Sequence, residues 1–231
     1  MFIAHIQTSM LALRALPRAK IPSAKCLIYY VTDPKMNSVL AQELRRKFFH
    51  AFSALYAVLF VLAGRSVSLW VIGVLLVIVG LLEAVRLRNP IVNDRFVRLF
   101  HGIHREKEKN QPSGILWTLA GSFATIAFIP HPDIVITALG YLALGDGVAA
   151  LVGRPWGRVR FGSKSLEGSL ACFLVCWIVG SLCLRPPFGS LEVLWGALTA
   201  TLLEALPLPL NDNFWLPLLS GLVLAGVRHF S

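Results

Sequence analysis

Seven apolar runs, at residues 48–64, 67–85, 114–130, 133–152, 166–184, 188–206 and 213–230, account for most of this chain. Each approaches the roughly 20 residues that a helix needs to cross a hydrocarbon core. Backbone amides in hydrocarbon must bond within their own segment, so runs of this kind fold as helices. The expected fold class is therefore all-α, a polytopic transmembrane helical bundle of about seven helices, with six to eight allowed. Composition agrees: 56% of residues are hydrophobic and 15% are charged, where a soluble domain carries about 25% charge. A separate soluble domain does not fit beside the apolar runs.

Lysine and arginine supply an orientation. Eight of the 22 precede the first run, seven lie in 86–109 and four lie in 154–164. These are alternate connections. Only Arg65, Arg185 and Arg228 fall on the other side. The positive-inside rule then expects the N-terminus and the 86–112, 153–164 and 207–212 connections in the cytoplasm. The host is a bacterial inner membrane, or an organelle membrane in a eukaryote. The formal net charge of +10 belongs to loops that face anionic membrane lipids. It does not mark a nucleic-acid partner, because aqueous basic domains are less apolar than this chain. Residues 1–42 form a basic N-terminal segment that begins MFIAHIQTSMLAL and continues with Arg14, Arg18, Lys20 and Lys25. It reads as interfacial and amphipathic. Its charge follows the apolar part, the reverse of a secretory signal, and an organelle transit peptide is the alternative. Residues 43–231 form the membrane-embedded domain. Cys172, Cys176 and Cys183 share one apolar run without CxxC spacing and, like Cys26, read as small packing residues.

The richest chemistry lies in 144–169, LGDGVAALVGRPWGRVRFGSKSLEGS. Asp146 stands inside an apolar run, where an uncompensated acid costs at least about 2–3 kcal/mol. It is either a helix-end residue at the interface or a metal ligand, with Gly145 and Gly147 letting a phosphate or another helix come close. Arg154, Arg158, Arg160 and Lys164 add positive charge. Lys164 and Glu167 also fit a helix start, with Ser163 or Ser165 as N-cap and Glu167 in the first turn. Such a start also binds anions. The glycine spacing is not a P-loop, because GxxxxGK[ST] is absent.

Other charged groups gather toward the same side. Lys47 and His50, in ELRRKFFH, share a helical face and read as an anchoring belt or as phosphate contacts. Glu83 and Arg86 have the same spacing, and a snorkelling pair accounts for them equally well. Glu108 belongs to a charge run, HREKEKNQPSG, whose default reading is solvated. Glu204 ends an apolar run, with Asp212 and Asn213 just beyond it. Independent anchoring charges would not require Asp146, Glu204 and Asp212 to join the basic loops on one side.

RKFFH at 46–50, Glu83 with Arg86, REKE and then SG within 105–114, GDGVAALVGRPWG at 145–157, KSLEGS at 164–169, and Glu204 followed by DN at 212–213 occur in an order that resembles the polyprenol kinase family. That family includes dolichol kinases, phytol kinases and a CTP-dependent diacylglycerol kinase, and it is more distantly similar to phosphatidate cytidylyltransferases. The resemblance covers roughly residues 43–230, and GD…G…G…KS.EGS is its most specific part. It implies a membrane enzyme that moves a phosphoryl group from a nucleoside triphosphate, usually CTP, to a lipid alcohol such as phytol, a polyprenol or diacylglycerol. ATP is the other donor considered. On this reading Asp146, Lys164, Glu167, Lys47 and His50 serve catalysis, and Asp146 and Asp212 bind Mg²⁺. Gly145, Gly153, Arg154, Gly157, Ser165, Gly168, Glu83, Arg86, Glu108, Glu204 and Asn213 complete the nucleotide site. The long C-terminal segment of the cytidylyltransferases, a glycine–histidine run followed by spaced acids, is missing, which disfavours nucleotidyl transfer. A cytidylyltransferase-like enzyme and a non-catalytic transporter or scaffold are the alternatives.

Overall fold

Gly64 decides the shape of the first described helix. Its φ of 75° and ψ of 177° break α1 (Ala54–Arg88) into two helical stretches without a loop between them. The backbone at Gly64 lies in a region that glycine enters without strain. The two runs expected at 48–64 and 67–85 are thus joined at a one-residue break. The computed structural model describes residues 51–99, 106–185, 189–206, 208 and 210–230.

Helix α2 (Pro90–Leu99) follows α1, and a short 3₁₀ turn spans Glu106–Lys109. Then come α3 (Gly114–Phe128), α4 (Pro132–Gly140), a π-helical turn (Tyr141–Gly145) and α5 (Asp146–Trp156). A two-stranded antiparallel hairpin, β1 (Arg160–Phe161) and β2 (Lys164–Ser165), leads into α6 (Leu166–Cys183), α7 (Ser190–Ala205) and α8 (Asp212–Phe230). The fold is an all-α helical bundle, as expected. Among the described residues, three stretches are long and apolar enough to cross a membrane: Ala54–Arg88, Pro132–Trp156 and Leu166–Cys183. Helix α3 is apolar but shorter, and the last two expected runs form α7 and α8.

The stretch from α4 through the π turn is central. Ile134, Val135, Leu139, Tyr141 and Leu142 are fully buried there, against Ile72 of α1, Ile126 of α3, Cys172 and Cys176 of α6, and Leu216 and Leu224 of α8. Small residues allow these approaches, as expected for helices packed in lipid. A Cβ at Gly145 would stand 2.7 Å from Cys176 Sγ, and one at Gly221 would stand 2.3 Å from Ile129 Cδ1.

Charged side chains separate to the two ends of the bundle. Arg65 donates to the carbonyls of Ile126, Ile129 and Pro130 at the C-terminus of α3, where a cation opposes the helix dipole. Arg228 bonds Asp133 through both terminal nitrogens, and the Arg185 amide donates to the same carboxylate. The three basic residues outside the main group thus share one end. The opposite end, where α3 begins, carries Glu83, Arg86, Lys164, Glu204 and Asp212.

Candidate functional site

The π-helical turn delivers Asp146. Such turns insert a residue into a helix and often occur at functional sites. Asp146 follows as the first residue of α5 and is 4% exposed. It borders a cavity of about 260 Å³ together with Ala149, Ala150, Gly153 and Arg154 of α5, Ser163, Lys164 and Ser165 of the hairpin, Gly168 of α6 and Glu204 of α7. The α5 members repeat at helical spacing from Asp146, so one face of α5 forms a wall.

Three glycines hold the other wall close. A Cβ at Gly168 would lie 2.6 Å from the Ala149 carbonyl oxygen, and one at Gly153 would lie 2.7 Å from Ser165 Oγ. At Gly157 the clash would be 2.2 Å, with the Gly153 carbonyl oxygen. Their first task is therefore to seat α5 on the start of α6. Ser165 caps that start: its Oγ accepts from the Gly168 amide at 3.2 Å and donates to the Gly153 carbonyl at 3.3 Å. Of the two serines considered from the sequence, Ser165 is the N-cap.

The hairpin brings in Lys164. Phe161 pairs with Lys164 across a two-residue loop in which Gly162 has φ +63°, as a tight hairpin turn with glycine at its first central position requires. Lys164 Nζ bonds Glu204 Oε1 and lies 3.1 Å from Asp212 Oδ2. Burial disfavours the ammonium, but the carboxylates of Asp146, Asp212 and Glu204 outweigh it and hold the Lys164 pKa above the ordinary lysine value. Three acids from α5, α7 and α8 therefore converge on one lysine. An excess of buried negative charge is costly unless a cation or hydrogen-bond donors offset it.

Not every sequence candidate joins this cluster. Glu167 does not line the cavity. Its Oε1 accepts from the Val159 amide at 3.4 Å, which ties the hairpin to α6. Gly145 packs against Cys176 and Cys172 and does not line the cavity either. Glu83 and Arg86 form a buried knot: Arg86 Nη2 bonds Glu83 Oε2 at 2.6 Å and the Gln111 carbonyl at 2.9 Å, and Nη1 bonds Asn93 Oδ1 and the Glu108 carbonyl. Glu83 Oε2 also accepts from the Ser113 amide. The pair joins α1 to the chain entering α3. Glu108 Oε1 and Asn213 Nδ2 both approach Gly114, at 3.6 and 3.4 Å from a Cβ built there. Asp212 thus turns to Lys164 while Asn213 turns to Gly114. Lys47 and His50 lie outside the described residues.

Sequence reasoning missed Ala149, Ala150 and Ser163 as cavity residues. The first two were within reach, three and four residues from Asp146 on one helical face. The metal expectation rests on donor chemistry. Among the described residues, no group of three or more His, Cys, Asp or Glu side chains has the spacing of a metal site. Asp146 and Asp212 still offer hard oxygen donors, and Mg²⁺ commonly takes only one or two carboxylates, with phosphate and water completing its shell. The residues present fit that ion.

Over most of its length the chain is similar to lipid kinases. It is 28% identical over 218 residues to CTP-dependent diacylglycerol kinase 1 of Saccharomyces cerevisiae, covering 82% of this chain and 74% of the relative. It is 24% identical over 232 residues to phytol kinase 1, chloroplastic, of Arabidopsis thaliana, covering 92% of this chain and 75% of the relative. A probable phytol kinase 2, chloroplastic, of Oryza sativa subsp. japonica is 33% identical over 117 residues, 44% of this chain and 38% of the relative. No family model matches the chain, and no solved structure matches it.

Proposed function

From relatives that support membership of the polyprenol and lipid kinase family, we propose that this chain is a multi-pass membrane kinase that transfers the terminal phosphoryl group of CTP to a lipid alcohol. The observation that carries the reading is the meeting of Lys164, Glu204 and Asp146 in one cavity at the basic end of the bundle, with Asp212 on Lys164. Residues 43–231 are the kinase domain on this reading. The cavity end faces the cytoplasm, the side that supplies nucleotide, and follows the excess of Lys and Arg in its connections.

Phosphoryl transfer needs positioning and charge stabilisation more than covalent help. An arriving triphosphate offers its oxygens to Lys164, which exchanges Glu204 and Asp212 for phosphate. Arg154, on the cavity wall, adds a second cation. Asp146 and Asp212 would hold Mg²⁺, which neutralises charge on the triphosphate oxygens when bound. The acceptor hydroxyl enters from the apolar side of α5. Its oxygen forms the new bond to the terminal phosphorus and gives its proton to a cavity carboxylate, Glu204 once Lys164 has turned to phosphate, as the bridging bond breaks and its electron pair leaves with the nucleoside diphosphate. Ala149 and Ala150 leave room for the lipid beside Asp146. Glu167 and Ser165 fix the hairpin and hold Lys164 in place.

A product assay tests the reading. The purified chain in lipid nanodiscs is given CTP or ATP with phytol, a polyprenol or diacylglycerol. The expected products are CDP and a phosphorylated lipid. Release of pyrophosphate would instead indicate nucleotidyl transfer.

A further inference from the structure

The hairpin that carries Lys164 also exposes large apolar and basic side chains. Residues 157–165 join the ends of two membrane-length stretches, Pro132–Trp156 and Leu166–Cys183. Two spans joined by so short a connection would end at one membrane surface. Trp156, Val159 and Phe161 are 59%, 56% and 42% exposed. Arg158 and Arg160 lie among them and are also exposed. Three large exposed apolar groups interleaved with two arginines suit the headgroup boundary of a bilayer better than water.

The hairpin is stiff. Arg160 Nη2 donates to the Arg154 carbonyl at 2.8 Å, the Leu166 amide donates to the Val159 carbonyl at 2.9 Å, and the Val159 amide donates to Glu167. Phe161 stands directly opposite Lys164 in the ladder, so the two side chains share a face of the hairpin. Movement of Phe161 therefore moves the strand that carries Lys164.

We propose that this hairpin seats on anionic phospholipid: Trp156, Val159 and Phe161 enter the headgroup–acyl boundary, Arg158 and Arg160 take the lipid phosphate, and the seating sets the position of Lys164 over the cavity. The catalytic consequence rests on the kinase reading. The seating itself does not.

The test uses the full chain in nanodiscs of phosphatidylcholine, alone or with increasing phosphatidylglycerol. The first readout needs no activity. The tryptophan fluorescence lost on Trp156→Phe should be quenched by lipids brominated on the upper acyl chain. Quenching by aqueous iodide and not by brominated lipid would overturn the seating. The second readout is the use of CTP in lipid phosphorylation. Phosphatidylglycerol should raise kcat/KM for CTP in the unaltered chain. Arg158→Gln with Arg160→Gln should demand about fivefold more anionic lipid per lost charge for the same rise. Arg95→Gln with Arg98→Gln, on exposed positions of α2, should leave the lipid dependence as it was. An equal loss in that control pair would reduce the effect to general surface charge and overturn the proposal. Weaker CTP use by the Arg158/Arg160 variant in phosphatidylcholine alone would assign these arginines to the nucleotide and would equally overturn it. Phe161→Leu keeps an apolar anchor and should behave normally. A loss in every lipid that Phe161→Tyr restores would make the ring a nucleobase platform and not a membrane anchor. If the unaltered chain phosphorylates no lipid, the kinase reading fails while the quenching arm still decides the seating.

Discussion

Asp212 Oδ2 lies 3.1 Å from Lys164 Nζ across 48 residues of sequence, and Glu204 completes the contact from a third element. Removing the lysine charge leaves two acids facing one another in a poorly solvated place. Breaking a buried pair on one side costs about 3–5 kcal/mol, and the partial exposure of Lys164 reduces that figure. Lys164→Met should therefore lower both thermal stability and the use of CTP. Adding Glu204→Gln should restore part of the stability and none of the activity. Thermal melts and CTP kinetics of both singles and the double check this. Additive stability losses would count against the coupling.

The same contacts set a pH expectation. The Lys164 pKa is raised in the folded chain, so its contribution is complete below the ordinary lysine pKa and is lost only as pH rises through the still higher folded value. Between about pH 6 and 9, well below the ordinary lysine pKa of about 10.4, the melting temperature should show no loss that Lys164→Met abolishes. Such a loss in that window would mean that the carboxylates do not hold the ammonium.

Asp146→Asn keeps size and removes charge at the buried start of α5. Turnover should fall by orders of magnitude while the protein still inserts and folds, and added Mg²⁺ should not rescue it. Near-normal turnover at saturating Mg²⁺ would remove Asp146 from the reacting site.

Two glycines near Asp146 should respond in opposite ways. A methyl at Gly168 would lie 2.6 Å from the Ala149 carbonyl oxygen, whereas one at Gly147 meets nothing within 4 Å among the described residues. Gly168→Ala should push α5 from α6 and reduce both stability and activity. Gly147→Ala should raise helix stability by about 0.5–1 kcal/mol. Equal melting temperatures for the two variants would contradict the packing described.

The Glu83–Arg86 knot should behave as scaffold. Arg86 is 2% exposed and binds three carbonyl-type oxygens besides Glu83. Arg86→Lys loses the planar fork that reaches these partners. It should unfold at lower temperature, and its KM for CTP should stay unchanged at temperatures where it remains folded. A raised KM without loss of stability would return Arg86 to the nucleotide site.

The bundle was legible because bilayer-length apolar runs and alternating basic loops are local, additive signals. The cluster of Asp146, Lys164, Glu204 and Asp212 was legible for a related reason: charges beside apolar runs stand out, and topology sorted them to one end. The Gly64 break was not, since glycine in an apolar run also serves helix packing. Nor was the pairing of Asp133 with Arg228, 95 residues apart, because no periodicity links two single charges on different helices. Glu167 takes the first-turn place read from the sequence, but it does not share a face with Lys164. Three residues from Lys164, it would share a helical face if both were helical. The helix instead begins at Leu166, and Lys164 lies on a strand.

CTP labelled in parallel on its α- and γ-phosphorus, supplied to the purified chain with a lipid alcohol, is the most direct measurement. Phosphoryl transfer moves γ-label into the lipid and leaves α-label in CDP, and Asp146→Asn stops both. Label from the α-phosphorus in the lipid, or no label in any lipid alcohol offered, would contradict a kinase built on this cavity.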